Sequence, residues 1–314
     1  MPYDRTYTQS PWRGQVYAPA PVTPFTLAGE LNYDAYEEIL KFHIEVNRCD
    51  SLLVAGDNGE GYVIADDELA RMTERVARVV NGRFRFYVHV SRIATAECIR
   101  RAEIAAAAGA SGLCLQPHSY LAHTTTAEVV ERFEAVTKAV PLPMMLYNSP
   151  RHTGLSLTPD QVRAIADVAP VEIFKDGDGE MQHVTDMVGE MGERFPVISG
   201  LALSLVPGLL LGAGGMVSTG PELFGADAKK VFDVYEMTPD ERMRTHRRYG
   251  AVITAVSFFG TSPSGIKAGL NMLGLPAGVP RAPVKPLEPD AEARLKSLLL
   301  ANGVGLAEGA RKAS

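Results

Sequence analysis

Short apolar, β-rich runs recur along the chain, separated by longer stretches whose apolar positions repeat every three or four residues. The runs are "QVYAPAPV" from Gln15, "CDSLLVAG" from Cys49, "RFRFYVHV" from Arg83 and "SGLCLQP" from Ser111. They continue with "LPMMLYN" from Leu142, "PVEIFKD" from Pro170, "FPVISG" from Phe195 and "GGMVSTG" from Gly214. Between them, stretches such as "DELARMTERVARVV" and "AEVVERFEAVTKAV" carry the spacing of amphipathic helices. Strands that alternate with helices pair in parallel through helical crossovers. Eight such units predict an α/β fold, a closed (β/α)8 TIM barrel rather than an open doubly wound sheet. No G-x-G-x-x-G follows the first strand, which removes the usual signature of the open alternative. The crossover after the seventh strand, "ALSLVPGLLLGA", is short and apolar, and burial is expected for it.

From Pro239 the pattern changes to helix following helix. "PDERMRTHRRYGAVITAVSFFG", "PSGIKAGLNMLG" and "PDAEARLKSLLLANG" read as helices, and "LPAGVPRAPVKPLEP" as an extended Pro-rich connection. The expected organisation is a polar N-terminal extension over 1–14, a barrel over 15–235 and a C-terminal helical appendage over 236–314.

The composition is that of an ordinary globular enzyme: 314 residues, 46% hydrophobic and 22% charged. A formal charge of −6 and the lack of a Lys/Arg run predict no nucleic-acid or membrane partner. Arg75, Arg78, Arg83 and Arg85 alternate with apolar residues and read as solvated faces. Cys49, Cys98 and Cys114 are widely spaced without a C-x-x-C pair, so buried thiols in a reducing compartment are expected. No signal peptide is expected, and no run reaches the roughly 18 apolar residues of a membrane span. The expected setting is the cytoplasm.

Working residues of such a barrel lie where strands end and the following loops begin. The second strand leads into "AGDNGEGY" with Asp57 and Asn58, and the fourth into His118, Ser119 and Tyr120. The fifth leads into Tyr147, Asn148, Arg151 and His152, and the sixth ends in Lys175. Of the nine lysines only Lys175 directly ends an apolar run, "VEIF". Partial desolvation there lowers an amine's pKa, and a neutral amine can attack a ketone to form a Schiff base. The plainer alternative is a salt bridge from Lys175 to a strand-end carboxylate such as Asp176. Tyr147 ends the preceding strand, so a barrel makes the two strand ends neighbours. A phenol beside a reactive amine can carry protons for it. A different chemistry is also open: His89, His118 and His152, with Asp57, could converge on a zinc ion and activate water in a metal-dependent hydrolase. His43, His123, His183 and His246 fall on helical or loop stretches and read as structural or solvated.

Taken together, "VTPF" (Val22–Phe25), G-x-x-G-E (Gly56–Glu60), Y-N-x-P-x-x-T-G (Tyr147–Gly154) and a strand ending in lysine occur in order. "SG" at Ser199-Gly200, "GAGGMVS" at Gly212–Ser218 and "IKAGLNMLGLPAGVPRAPVKPL" follow. Over residues 15–290 this resembles the dihydrodipicolinate synthase and N-acetylneuraminate lyase family of class I, Schiff-base aldolases. The resemblance implies a barrel with a C-terminal helical domain, assembled as a homotetramer, with no metal and no cofactor. It implies that Lys175 forms the Schiff base with pyruvate or another small-molecule 2-oxo acid and that Tyr147 transfers protons. It also implies that backbone N–H groups of Asp57 and Asn58 hold the substrate carboxylate, as amides at a helix start do, and that Gly200 and Val217 line the pocket.

Three elements of the synthase pattern are missing. Asp57 and Asn58 replace two hydroxyl residues, and a carboxylate beside a bound carboxylate repels unless protonated, turned away or paired with a cation. His118 and Ser119, with Tyr120 one place later, replace paired aromatics. His152, beside Arg151, replaces the arginine that receives a second substrate. The expected activity is therefore a Schiff-base lyase, aldolase or dehydratase, most like a 4-hydroxy-2-oxoglutarate or 2-oxo sugar-acid aldolase releasing pyruvate. The alternatives are a dihydrodipicolinate synthase-type condensation, the hydrolase above, and a non-catalytic 2-oxo acid binding protein.

Overall fold

Each of the eight apolar runs becomes a parallel strand: β1 (Val16–Tyr17), β2 (Leu52–Val54), β3 (Phe86–His89), β4 (Gly112–Leu115), β5 (Met144–Asn148), β6 (Val171–Asp176), β7 (Val197–Ser199) and β8 (Gly215–Met216). The structure is a computed structural model describing residues 15–121, 123–200, 204–217 and 219–307. The expected extension over 1–14 lies outside the described residues. Neighbouring strands follow the order β1-β8-β7-β6-β5-β4-β3-β2. The ring closes because the Asp50 and Leu53 N–H groups donate to the carbonyls of Tyr17 and Pro19, at 2.9 and 3.0 Å. The result is a (β/α)8 barrel.

Alternation along each strand sorts side chains into two cores. Leu53, Tyr87, Cys114, Met145, Ile173 and Ile198 point inward and fill the barrel. Their sequence neighbours, such as Leu52, Val88, Leu113, Leu146 and Phe174, pack outward against the helices. Those helices are α1 (Tyr33–Lys41), α2 (Asp66–Val80), α3 (Thr95–Ala107), α4 (Thr126–Ala139), the one-turn α5 (Pro150–Thr153), α6 (Pro159–Val168), α7 (Met181–Met191) and α8 (Leu205–Leu210). Helix α2 buries Leu69, Met72, Val76 and Val80, the three- and four-residue spacing read from the sequence, and stops at Asn81 in a left-handed conformation. Helices α4 and α6 start at Thr125 and Thr158, each in a capping box that satisfies first-turn N–H groups.

The apolar crossover at α8 is only partly buried. Leu205, Val206 and Leu209 face the core, while Leu210 and Leu211 are exposed, because so short a helix has one inward side. Two 3-10 helices (Pro221–Asp227 and Lys230–Tyr235) then lead to α9 (Pro239–Phe258), α10 (Ser264–Met272) and α11 (Pro289–Ala301). The Pro-rich connection between α10 and α11 contains no helix. It carries Arg281, whose guanidinium pairs with Glu68 and with the Gly29 carbonyl.

The three cysteines are buried and free. The arginine group is more engaged than its alternation suggests. Arg75 and Arg78 both pair with Glu37, and Arg85 holds both oxygens of Glu172 at 2.8 Å. Among the described residues no helix is long and apolar enough to cross a membrane.

Candidate active site

Register decides the central contact. Tyr147 on β5 pairs directly with Lys175 on β6, and Asn148 with Asp176. Lys175 Nζ lies 3.7 Å from the centre of the Tyr147 ring, and the lysine is 5% exposed. Burial lowers the pKa of its amine, against the opposing pull of the Asp57 charge. Gly200, at the end of β7, makes room for this side chain. A Cβ there would stand 3.1 Å from Lys175 Cε and 3.0 Å from the Asp176 carbonyl oxygen.

The salt bridge from Lys175 to Asp176 does not form. Asp176 accepts from the Asn148 amide at 3.0 Å and the Asp178 N–H at 3.1 Å, and pairs with His183 Nδ1 at 2.9 Å. The other ring nitrogen of His183 meets the Leu157 carbonyl at 2.8 Å. Burial opposes the imidazolium, but the Asp176 hydrogen bond and charge, with that carbonyl, raise its pKa to about 9. Alternation along β6 sends Lys175 into the barrel and Asp176 outward.

Residues 56–61 form the turn after β2. Ala55 and Glu60 both have φ +53°, uncommon for residues with side chains. Gly61 is required, since a Cβ there would fall 1.9 Å from the Ala55 carbonyl oxygen. The turn is closed by the Glu60 and Gly61 N–H groups, which donate to the carbonyls of Asp57 and Gly56 at 3.1 Å. Among the described residues no acceptor takes the N–H groups of Asp57 and Asn58. The turn is not a helix start, because α2 begins only at Asp66. Anchorage comes from the C-terminal segment: buried Glu60 pairs with buried Lys267 and accepts from the Arg281 N–H at 2.8 Å. The Asn58 amide donates to the Thr219 hydroxyl and accepts from Ser262 Oγ at 3.4 Å.

Asp57 is turned toward Tyr147, whose hydroxyl donates to Oδ2 at 2.8 Å. His152 Nδ1 lies 3.6 Å from the same oxygen and 2.7 Å from Ser149 Oγ. Burial works against the Asp57 carboxylate, but His152, Lys175, His89 and the Tyr147 hydrogen bond outweigh it and hold its pKa below the usual range. Burial, reinforced by the Asp57 charge, raises the Tyr147 phenol well above its ordinary value. His89 stands edge-on to the Tyr147 ring at 6.3 Å, its pKa pushed down to about 4 by burial.

A cavity of about 840 Å³ opens over these groups. Asp57, Asn58, Tyr147, Arg151, His152, Lys175, Gly200 and Val217 line it; His118, Ser119 and Tyr120 do not. Tyr120 is 88% exposed. No group of three His, Cys, Asp or Glu side chains among the described residues is arranged to hold a metal ion. The hydrolase reading therefore has no ligand set: His89 and His152 approach Asp57, but His118 does not join them. Sequence reasoning missed Tyr62, Thr219, His246, Phe258 and Ser262, which also line the cavity. Thr219 follows directly on the β8 motif and was within reach of the strand-end rule. His246, Phe258 and Ser262 come from α9 and the turn after it, where no local pattern marks them.

The dihydrodipicolinate synthetase family model matches residues 15–302. The 4-hydroxy-tetrahydrodipicolinate synthase of Prochlorococcus marinus is 32% identical over 271 residues, 86% of this chain and 89% of the relative. That of a Synechococcus strain is 32% identical over 280 residues, 89% and 91% of the two chains. Among solved structures, dihydrodipicolinate synthase of Cyanidioschyzon merolae with lysine bound superposes with a TM-score of 0.85 at 29% identity, covering 93% of this chain and 99% of that one. CdNal of Clostridium difficile, in complex with mannosamine, gives a TM-score of 0.82 over 92% and 99% of the two chains, and at 18% identity it speaks for the fold alone. A family match spanning nearly the whole barrel and the helices after it joins a buried lysine at the end of β6: the chain belongs to the dihydrodipicolinate synthetase family of class I, lysine Schiff-base lyases.

Proposed function

We propose that the protein cleaves a hydroxylated 2-oxo acid by a retro-aldol reaction that releases pyruvate, of the kind run on 4-hydroxy-2-oxoglutarate or 2-oxo sugar acids. The observation that carries this reading is the register pair of Lys175 and Tyr147, an amine biased toward its neutral form beside a phenol held protonated. In this reading the neutral amine of Lys175 attacks the 2-oxo carbon, Tyr147 shuttles a proton from the new ammonium to the carbinolamine oxygen and keeps its own protonation state, and a further proton from solvent expels water to give an iminium. The substrate carboxylate is held by the Asp57 and Asn58 N–H groups, oriented by the turn. Breaking the C3–C4 bond sends its electrons into the iminium, and the resulting enamine is protonated at C3 and hydrolysed to pyruvate. Arg151, His152, His246 and Ser262, which line the same cavity, would meet the distal hydroxyls or second carboxylate.

Two features favour cleavage over condensation with a second large substrate. His152 is hydrogen-bonded to Ser149 and biased by burial toward its neutral form, a poor receptor for a second anion. Asp57 adds negative charge to the same wall. We also propose a cytoplasmic homotetramer. Its support is an apolar face: Ile93, Tyr120 and Leu121 are exposed on the loops after β3 and β4, which Arg132 ties together through the Ile93 and Gln116 carbonyls.

The test is reductive trapping with borohydride across pyruvate and a panel of 2-oxo acids, followed by a pyruvate-release screen on the same panel. A mass adduct on Lys175 is expected, lost together with turnover in Lys175→Ala. Absence of an adduct with every compound would overturn the reading. Turnover without pyruvate release would assign dehydration instead of cleavage.

A further inference from the structure

Schiff-base formation needs an amine and a group that shuttles a proton beside it, and Lys175 with Tyr147 supply both. It does not account for Asp57. The Tyr147 hydroxyl hydrogen is committed to Asp57 Oδ2 at 2.8 Å, so the phenol presents its oxygen lone pairs to any other partner. All three side chains line one cavity. In this arrangement Tyr147 can accept a proton from substrate only if its own proton moves on in the same step. Otherwise a buried, positively charged oxonium would form. The atom placed to receive that proton is Asp57 Oδ2.

The surroundings keep the carboxylate ionised, the form that can take a proton. Facing it are Lys175 from β6, His89 from β3, His152 from the β5 loop and Tyr147 itself, all of which favour its ionised form. Tyr62 and Cys114 also sense its charge, and both have their pKa raised to about 12 by burial.

We propose that Asp57 is the terminal proton acceptor of a relay that runs through Tyr147, with both members supplied by one chain. The inference rests on the Schiff-base reading above. In cleavage, the C4 hydroxyl gives its proton to the Tyr147 oxygen while the Tyr147 proton passes to Asp57. The O–H electrons form the C4 carbonyl, the C3–C4 pair becomes the C2–C3 double bond of the enamine, and the iminium electrons settle on the Lys175 nitrogen. The proton then returns from Asp57 through Tyr147 to C3, and the site is reset. Run backward on bound pyruvate, the last step takes a methyl proton from C3 to the Tyr147 oxygen as Asp57 is protonated, forming the enamine.

Pyruvate alone is therefore a sufficient probe. Wild-type protein in D2O is expected to exchange the pyruvate methyl hydrogens, followed by proton NMR, and to give a borohydride-reduced adduct on Lys175. Asp57→Asn should keep the adduct while exchange falls by about 100-fold, the usual weight of a lost acid–base group. Asp57→Ala should behave alike, and formate, which fits the vacated space and carries a carboxylate, should restore exchange at least about tenfold. Exchange in Asp57→Asn within about threefold of wild type would overturn the relay while leaving the Schiff base standing. A fall in exchange that formate does not restore would also overturn it and make Asp57 a positioning residue for Tyr147. If wild-type protein gives neither adduct nor exchange, the Schiff-base reading falls and the relay with it.

Discussion

In the proposed reaction, burial of the Lys175 amine sets the pH at which it would act as nucleophile. Because desolvation lowers its pKa, the neutral nucleophile is present at lower pH than for a free lysine. The kcat/KM for the 2-oxo acid is expected to rise with pH and level off before the ordinary lysine range; a limb still climbing through pH 10.5 would contradict this. Space around the same amine is limited by Gly200. The Cβ of Gly200→Ala would press on Lys175 Cε and on the Asp176 carbonyl. Overpacking there should cost about 1–3 kcal/mol in denaturant unfolding, and displacing the amine should lower kcat by about tenfold or more. Sequence pointed to Lys175 because a charged residue ending an apolar run is a local anomaly. It left Asp176 as a possible partner, since alternation says which side a residue faces but not what waits there.

At the scale of elements, two devices hold the strand ends and the β2 turn. The ends of β5 and β6 are pinned where Asn148 and His183 share the Asp176 carboxylate. The His183 pKa is raised from 6.5 to about 9 in the folded chain, so its stabilising contribution is complete below pH 6.5 and lost as pH rises through about 9. Thermal melts should show the midpoint falling over that window in wild type, with the fall reduced in His183→Asn. The β2 turn is held by the buried Glu60–Lys267 pair. Lys267→Met leaves Glu60 buried without its cation and should cost about 3–5 kcal/mol in unfolding free energy. Because the turn carries Asp57 and Asn58, trapping of pyruvate should weaken as well. Lys267 shows what strand-end reasoning overlooks: it sits in a helical pattern, yet is 1% exposed and packs against Phe25. Its partner lies 207 positions away, and nothing near it in sequence announces the pair.

For the whole molecule, the C-terminal helices serve as a wall of the cavity as well as an appendage to the barrel. His246, Phe258 and Ser262 face the same space as Lys175, and Ser262 reaches Asn58 on the β2 turn. The exposed loops after β3 and β4 belong to this scale too. If Ile93, Tyr120 and Leu121 form a subunit contact, light scattering should give a mass four times the 33.8 kDa chain. Tyr120→Asp, which adds a charge to that face, should shift the assembly to smaller species. An unchanged mass would move the contact elsewhere on the surface.

Apolar periodicity, turn residues and strand-end chemistry are properties of short windows, and they determined the strand–helix alternation, the eight strands, the helices after Pro239 and the Lys175–Tyr147 pairing. A parallel barrel places consecutive strand ends side by side, so that last contact follows from order alone. Contacts between distant windows depend on how the ring closes and how the C-terminal segment folds back. Only the tertiary structure therefore decided that Asp57 receives the Tyr147 hydroxyl, that Glu60 pairs with Lys267, and that His118, Ser119 and Tyr120 stay outside the cavity. Hydrophobic burial specifies which face of each element points inward; the identity of the groups that meet there is set by closure over separations of 90 residues and more, which no local pattern records.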